Sequence, residues 1–167
     1  MAEPSPALPA ERYREIMASF PSGVVVLTAL AADGSPHGLT VSAFSPVSLA
    51  PPLVLACVDR GSNTLPFVRE TGYFTINILA AGQQQLARTM ATKDPRKFED
   101  LEWAPPPVPG CGPVLEPYSA AFACCSIDRE IEAGDHVIFV GRVLAGDVYA
   151  GRTPLVYHRR AFLELGG

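Results

Sequence analysis

Charged residues are scarce in this chain, and it has neither a basic stripe nor a long hydrophobic run. Only 18% of its 167 residues are charged and the net charge is −4, whereas a general nucleic-acid binder carries a basic surface. The apolar run over residues 24–32 is far shorter than the ~20 residues that span a bilayer. The composition therefore predicts a protein that binds neither nucleic acid nor membrane. The shortage of charge also suggests that another subunit covers part of the surface.

Cysteine is present, but not in a metal-binding pattern. The four cysteines are Cys57, Cys111, Cys124 and Cys125, and no pair has C-x-x-C spacing. Neighbours in a strand point to opposite faces, so Cys124 and Cys125 are poorly placed to bind one metal. We therefore predict no metal site, and a reduced, cytoplasmic protein whose thiols are incidental.

The sequence predicts one domain that follows a short N-terminal arm. Residues 1–10 hold an acid and three prolines, unlike the basic start and apolar core of a signal peptide, which predicts a flexible arm followed by a domain over residues 11–167. Apolar spacing and turn residues predict short helices at 11–20, 64–70 and 82–92, and strands at 24–31, 38–42, 53–58, 73–79, 122–131, 135–148 and 154–165. This pattern predicts a mostly β fold, a closed or nearly closed antiparallel barrel with a few short peripheral helices.

A hydroxyl-rich segment between two apolar runs is the strongest sign of a binding site. Thr40, Ser42, Ser45 and Ser48 lie between strand-like stretches, and each hydroxyl that is buried needs a hydrogen-bond partner. A polar ligand held against the sheet would supply those partners. Because the sequence contains neither G-x-G-x-x-G nor a P-loop, any phosphate must be held in another way.

Five stretches in chain order resemble the flavin reductase family, which has the FMN-binding split-barrel fold. They are GLTVSAFSPVSLAPPLVL (38–55), CVDRGSNT (57–64), FTINIL (74–79), GDHVIFVGRV (134–143) and PLVY (154–157), and the resemblance covers roughly residues 11–165. It implies an antiparallel split barrel, and a homodimer with flavin near the subunit interface. It also implies reduction of FMN or FAD by NADH or NADPH, and delivery of the reduced flavin to a partner flavin-dependent monooxygenase.

The resemblance further implies a set of ligand contacts. It places the flavin ring beside Thr40, Val41, Ser42, Ala43, Cys57, Val58, Asp59 and Phe98, with Asn77 also in the cofactor site. It places the phosphate, or the AMP portion of FAD, beside Ser62, Thr64, Arg88 and Lys93, and the nicotinamide beside His136 and Tyr157. Taken from the residues alone, Ser62 and Thr64 are equally typical of a helix N-cap, Arg88 and Lys93 of a solvated helix face, and Cys57 of a packed small hydrophobe.

The absence of a recognisable catalytic triad agrees with this chemistry. Hydride transfer from nicotinamide C4 to flavin N5 depends on proximity and stacking, so we expect His136 to orient the nicotinamide without abstracting a proton. An alternative is a split-barrel flavin-binding electron carrier or store without nicotinamide turnover, which would not need the pocket around His136 and Tyr157. No motif favours FMN over FAD or NADH over NADPH, identifies the monooxygenase, or decides whether flavin is a prosthetic group or a diffusing substrate.

Overall fold

The computed structural model describes residues 7–165, and antiparallel strands are its main element of secondary structure. The elements in chain order are α1 (Ala10–Ala18), β1 (Ser22–Gly23), β2 (Val25–Leu30), β3 (Pro36–Val41), β4 (Phe44–Leu49), β5 (Pro52–Asp59), α2 (Leu65–Thr71), β6 (Tyr73–Leu79), α3 (Gln84–Met90), a 3₁₀ turn (Glu116–Tyr118), β7 (Ser119–Ala133), β8 (His136–Val148), β9 (Leu155–His158) and β10 (Ala161–Glu164). The predicted mostly β fold is confirmed. Most of the predicted N-terminal arm lies outside the described residues, and α1 begins at Ala10.

The main sheet closes on itself. Seven strands pair antiparallel in the order β3-β2-β6-β7-β8-β5-β4, so β3 and β4 lie at opposite edges. Only Ser42 and Ala43 connect these two strands, which forces the sheet to curl until its edges meet. The N–H of Cys57 donates to the carbonyl of Ala43 at 2.9 Å, where the link crosses to β5. A smaller sheet, β1-β9-β10, lies outside this barrel.

Alternation along the strands produces two hydrophobic cores. Inward-facing side chains fill the barrel, with Leu27, Phe74, Ile76 and Phe139 fully buried among them. The outward side chains of β2, including Val26, instead pack beneath α3 and β9 against Met90 and Leu155. Strands therefore present one set of residues to the barrel and the other to the helices, as a period of two requires.

The strand prediction was wrong in two places. Residues 44–49 were not predicted as a strand, but they form β4 by pairing with β5. The strand predicted over 154–165 is two strands, β9 and β10, because the chain reverses at Arg159-Arg160. Neither residue is the Asn or Gly that normally signals such a turn.

Asn77 is part of the folded core and does not line a ligand site. It is fully buried on β6. Its amide nitrogen donates to the carbonyls of Val26 and Pro113, both at 3.3 Å, and to the Thr28 hydroxyl at 3.2 Å. Its amide oxygen accepts the N–H of Leu115 at 2.8 Å. These bonds attach the proline-rich loop to the sheet, which corrects the expectation that Asn77 contacts a cofactor.

Candidate functional site

Four adjoining clefts follow the outer face of β3 and together form one groove. The wide cleft, about 570 Å³, lies between α1 and the start of β4, and the arginine cleft, about 370 Å³, between α3 and the β9–β10 hairpin. The loop cleft, about 270 Å³, lies between β3 and residues 59–63, and the histidine cleft, about 430 Å³, between His37 and residues 93–98. The clefts are continuous because neighbouring ones share lining residues. The wide and arginine clefts share Ser42, Tyr157 and Arg160, and the arginine and loop clefts share Thr40 and Ala91. The loop and histidine clefts share Asn63, Lys93 and Lys97.

Thr40 on β3 and Ser42 in the link that follows β3 line this groove, and the adjoining Ala43 lines the wide cleft. Val41 points into the barrel and is 4% exposed, so only its backbone is available to a ligand. The Thr40 hydroxyl donates to the carbonyl of Ala87 at 2.6 Å. The Ser45 hydroxyl donates to the carbonyl of Pro46 at 2.9 Å, and both Ser42 and Ser48 are exposed. These four hydroxyls therefore do not need a ligand as a hydrogen-bond partner, contrary to what the sequence suggested.

Strand β5 supplies the facing side of the groove. Val58 is fully buried in the barrel, whereas Asp59 faces outward and lines the loop cleft. Cys57 also faces outward and is half-buried, and that burial raises the pKa of its thiol, which stays protonated near neutral pH. The carboxylate of Asp59 accepts the N–H of Gly61 at 2.6 Å, which shapes the loop that follows.

That loop places Ser62 in the loop cleft with Lys93. The Ser62 Oγ accepts the N–H of Thr64 at 3.1 Å, and its own proton remains available to a ligand. Thr64 is 2% exposed at the base of the histidine cleft and makes no side-chain capping bond to α2. The structure thus favours Ser62 over Thr64 as the residue whose hydroxyl reaches a ligand.

The histidine cleft contains rings and a partly buried cation. His37 stacks on Phe67 with the ring centroids 3.6 Å apart, and Phe98 forms part of the lining. The ammonium of Lys97 donates to the carbonyls of Met90 at 3.2 Å and Thr92 at 2.9 Å. Burial lowers the pKa values of Lys97 and His37, because both lose hydration of their charged forms.

The two residues predicted to contact nicotinamide lie apart. Tyr157 lines both the wide and arginine clefts and packs against Phe162, with ring centroids 5.1 Å apart. His136 lies opposite Asp59 in the β5–β8 pairing and lines none of the four clefts. Its Nδ1 lies 2.7 Å from a carboxylate oxygen of Asp135, and this hydrogen bond lowers the pKa of Asp135. The chain by itself does not bring His136 and Tyr157 into one pocket.

Positive charge accumulates at one end of the groove. Arg14 and Arg160 line the wide cleft, Arg88 and Arg160 line the arginine cleft, and none of the residues that line either cleft is acidic. Arg88, predicted to lie with Lys93, instead lies above the Phe162 ring, 5.5 Å from its centroid. Sequence analysis missed Arg160, because its position depends on a reversal that the sequence does not signal.

Two other features bear on the class of protein. Among residues 7–165, no group of three His, Cys, Asp or Glu side chains comes together as a metal site. No helix in the same range has the length and apolar character needed to cross a membrane. The split barrel and its groove define a class of β-barrel protein that can hold an elongated, phosphate-bearing cofactor along the seam of the barrel.

Comparisons with known proteins agree with this class. Residues 17–166 match the family model described as flavin reductase like domain. The chain is 38% identical to the flavin reductase (NADH) of Kitasatospora aureofaciens, covering 91% of this chain and 80% of that protein. It is 36% identical to the flavin reductase (NADPH) of Lentzea aerocolonigenes, covering 95% of this chain and 92% of that protein. The crystal structure of BorF, the flavin reductase component of a bacterial two-component tryptophan halogenase, superposes on this chain with a TM-score of 0.85. The two chains are 36% identical, and the superposition covers 95% of this chain and 99% of BorF.

The chain belongs to the flavin reductase family. The family match spans nearly all of the described residues and includes all five stretches on which the resemblance rests. The predictions of a split-barrel fold and of an NAD(P)H-dependent flavin oxidoreductase are therefore confirmed. The individual ligand contacts stay predictions, to which the geometry of the groove adds support or correction residue by residue.

Proposed function

We propose that this protein uses NADH or NADPH to reduce FMN or FAD bound in the groove, and that the reduced flavin passes to a partner monooxygenase. The observation that carries the proposal is the continuity of the groove. It joins Thr40 and Ser42, at the end of β3, to Ser62 after β5 and Lys93 after α3, and to Tyr157 in the other direction. An elongated ligand with a planar ring and a phosphate fits such a groove.

The residues present are suited to hold a flavin. We assign the ring to the backbone of residues 40–43 and the outward face of Cys57 and Asp59, since Val41 and Val58 offer only backbone groups. We assign the phosphate to the Ser62 hydroxyl and the Lys93 ammonium, which share the loop cleft. A bound flavin accepts a hydride at N5, and the contribution of the protein is to position it and exclude water.

Nicotinamide binding is assigned to Tyr157, which lies in the groove, and to His136, which lies outside the four clefts. Tyr157 offers a ring at the junction of the wide and arginine clefts. His136 stands across from Asp59, so its imidazole reaches a ligand that extends beyond Asp59 or one that lies at a subunit interface. Its bond to Asp135 fixes the orientation of the ring, which suits a positioning role.

A flavin requirement is the direct test of this function. Protein stripped of flavin is expected to oxidise NADH and NADPH at background rate, and added FMN or FAD should restore turnover, because the hydride of the nicotinamide passes to flavin N5. The measurement is steady-state absorbance loss of each nucleotide, with and without FMN, FAD and riboflavin. Vigorous turnover without flavin would contradict the proposal, and tight flavin binding without nucleotide oxidation would favour an electron carrier.

We further propose that the protein is a cytoplasmic homodimer, joined through α1. This helix buries none of its residues, and Tyr13 and Met17 on it are 56% and 47% exposed. Phe20, just after the helix, is 74% exposed, and all three residues also line the wide cleft. Together with Leu49, which is 91% exposed on β4, they offer an apolar surface of the kind that interfaces cover. The cytoplasmic location rests on the cysteine spacing.

The dimer is tested by disrupting that surface. Wild-type protein is expected to show a dimeric mass in light scattering at micromolar concentration, and Met17→Glu with Phe20→Glu is expected to give a folded monomer, because an interface does not accept two buried unpaired charges. Leu163→Glu, at a residue 44% exposed on β10, is the matched control and should leave the mass unchanged. A monomeric mass for the wild type would contradict the proposal.

A further inference from the structure

The β9–β10 turn has a backbone conformation that its residues do not favour. The pairing of His158 with Ala161 leaves Arg159 and Arg160 as a two-residue loop, with φ of 47° and 64°. Such loops require a left-handed backbone at both positions, which Asn and Gly adopt readily and which strains a residue with a long side chain. Arginine at both positions is therefore costly for folding, and strained residues of this kind cluster at ligand sites.

Of the two arginines, Arg160 is the one that faces the groove. It lines both the wide and the arginine clefts, and Arg159 lines neither. Within residues 7–165, Arg160 forms no ion pair. Arg14 and Arg88 add positive charge to the same two clefts, and their linings contain no carboxylate. An unpaired guanidinium beside two more cations, in a protein with a net charge of −4, marks a site for an anion.

The proposed function limits which anion this is. The flavin phosphate is already assigned to Ser62 and Lys93 in the loop cleft, and the oxidised flavin ring carries no charge. With FMN, the phosphates that remain in the reaction are those of the nicotinamide dinucleotide. With FAD, its second phosphate remains as well, and a rise in flavin KM would identify that phosphate as the ligand. Guanidinium groups suit such phosphates, since their planar N–H donors bind two oxygens at once.

We propose that Arg160 binds a phosphate of NADH or NADPH, either the pyrophosphate that both nucleotides share or the 2′-phosphate of NADPH. The proposal rests on the proposed function, because it takes the other phosphate site to belong to flavin. The strained turn holds the guanidinium at the junction of the two clefts, next to Tyr157. Arg88, on the opposite side of the arginine cleft, provides a second positive charge for the same ligand.

The turn itself offers a well-controlled experiment. Arg160→Gly removes the guanidinium and also relieves the left-handed strain, so the variant should fold at least as well as the wild type. Arg159→Gly relieves the same strain one residue earlier, and it keeps the backbone N–H that donates to the carbonyl of Ala18 at 2.9 Å. Thermal unfolding of both variants verifies that they fold.

The measured quantities are KM for NADH and NADPH at saturating flavin, KM for flavin, and calorimetric titration with NAD⁺ and NADP⁺. Arg160→Gly is expected to raise the nucleotide KM and Kd by about tenfold or more, since a hydrogen bond to a charged group is lost. The KM for flavin should change less than about twofold in Arg160→Gly. Arg159→Gly should resemble the wild type in its affinity for nucleotide and in its KM for flavin. Equal losses for the two nucleotides assign Arg160 to the pyrophosphate, and a loss confined to NADPH and NADP⁺ assigns it to the 2′-phosphate.

Three outcomes would overturn the proposal. Nucleotide affinity in Arg160→Gly could equal that in Arg159→Gly, flavin KM could rise as much as nucleotide KM, or wild-type protein could bind neither NAD⁺ nor NADP⁺. Failure of the proposed function is distinguishable, because it would appear as wild-type protein that oxidises no nucleotide when flavin is present. The titrations report on Arg160 independently of that turnover.

Discussion

Replacing Ser62 by alanine and Lys93 by methionine together is expected to weaken FMN binding by about a hundredfold while riboflavin binding changes less than about threefold. Both side chains line the loop cleft that we assign to the flavin phosphate, and riboflavin has no phosphate. Each side chain would make a charge-assisted hydrogen bond worth about 1.5 kcal/mol, so the pair contributes about 3 kcal/mol. Fluorescence titration of the two flavins measures the difference.

The control for this variant is a nearby cation that does not line the groove. Arg96 lies in the same loop, pairs with Asp94 at 3.5 Å and lines none of the four clefts. Arg96→Met removes the same charge as Lys93→Met, so it should leave FMN affinity within about twofold, because exposed charges act weakly at a distance in salt. If FMN and riboflavin lose affinity equally in the double variant, the phosphate does not bind in the loop cleft.

Asn77→Ala is expected to lower the free energy of unfolding by about 3 kcal/mol, because it removes the acceptor of the buried Leu115 N–H and the donor to the carbonyls of Val26 and Pro113. In a chain of this size each kcal/mol corresponds to roughly 2–4 °C in Tm, so a fall of about 10 °C is expected. The measurement is chemical denaturation monitored by circular dichroism, with thermal melting beside it.

The other asparagine in the chain is the matched control. Asn63 is exposed and its amide makes a long bond, 3.5 Å, to the carbonyl of Lys93, so Asn63→Ala should change stability by less than about 0.5 kcal/mol. An Asn77→Ala protein of normal stability that bound flavin poorly would contradict the structural role and restore Asn77 to the cofactor site.

Elements whose residues carry their own local signal could be predicted from the sequence. The apolar spacing in α1, the β-branched run of β2 and the Gly72 that ends α2 at a φ of 73° are visible without any partner. Strand β4 has no such signal, since Pro46 interrupts it and pairing with β5 alone makes it a strand. Elements of this second kind depend on tertiary contacts that no short stretch of sequence contains.

The candidate site divides in the same way. The resemblance to the family indicated the segments that line the groove, and the structure brings Thr40, Ser42, Ser62 and Lys93 to it. The resemblance could not indicate that the Thr40 hydroxyl donates a hydrogen bond to the carbonyl of Ala87, because that contact requires α3 to pack on β3. The position of Arg160 in the groove could not be predicted either, because it follows from the reversal of the chain between β9 and β10.

The two-residue link between β3 and β4 couples the shape of the sheet to the width of the groove. Ser42 and Ala43 join the edges of the curled sheet and also line the wide cleft. Any change in the curvature of the barrel therefore moves the surface against which a ligand lies. The side chains of Val41 and Val58 fill the barrel on the side of the sheet away from the ligand. Their volume therefore influences the position of the backbone that a ligand contacts. Evolution can thus adjust ligand fit by varying the volume of interior residues while every residue that touches the ligand stays the same.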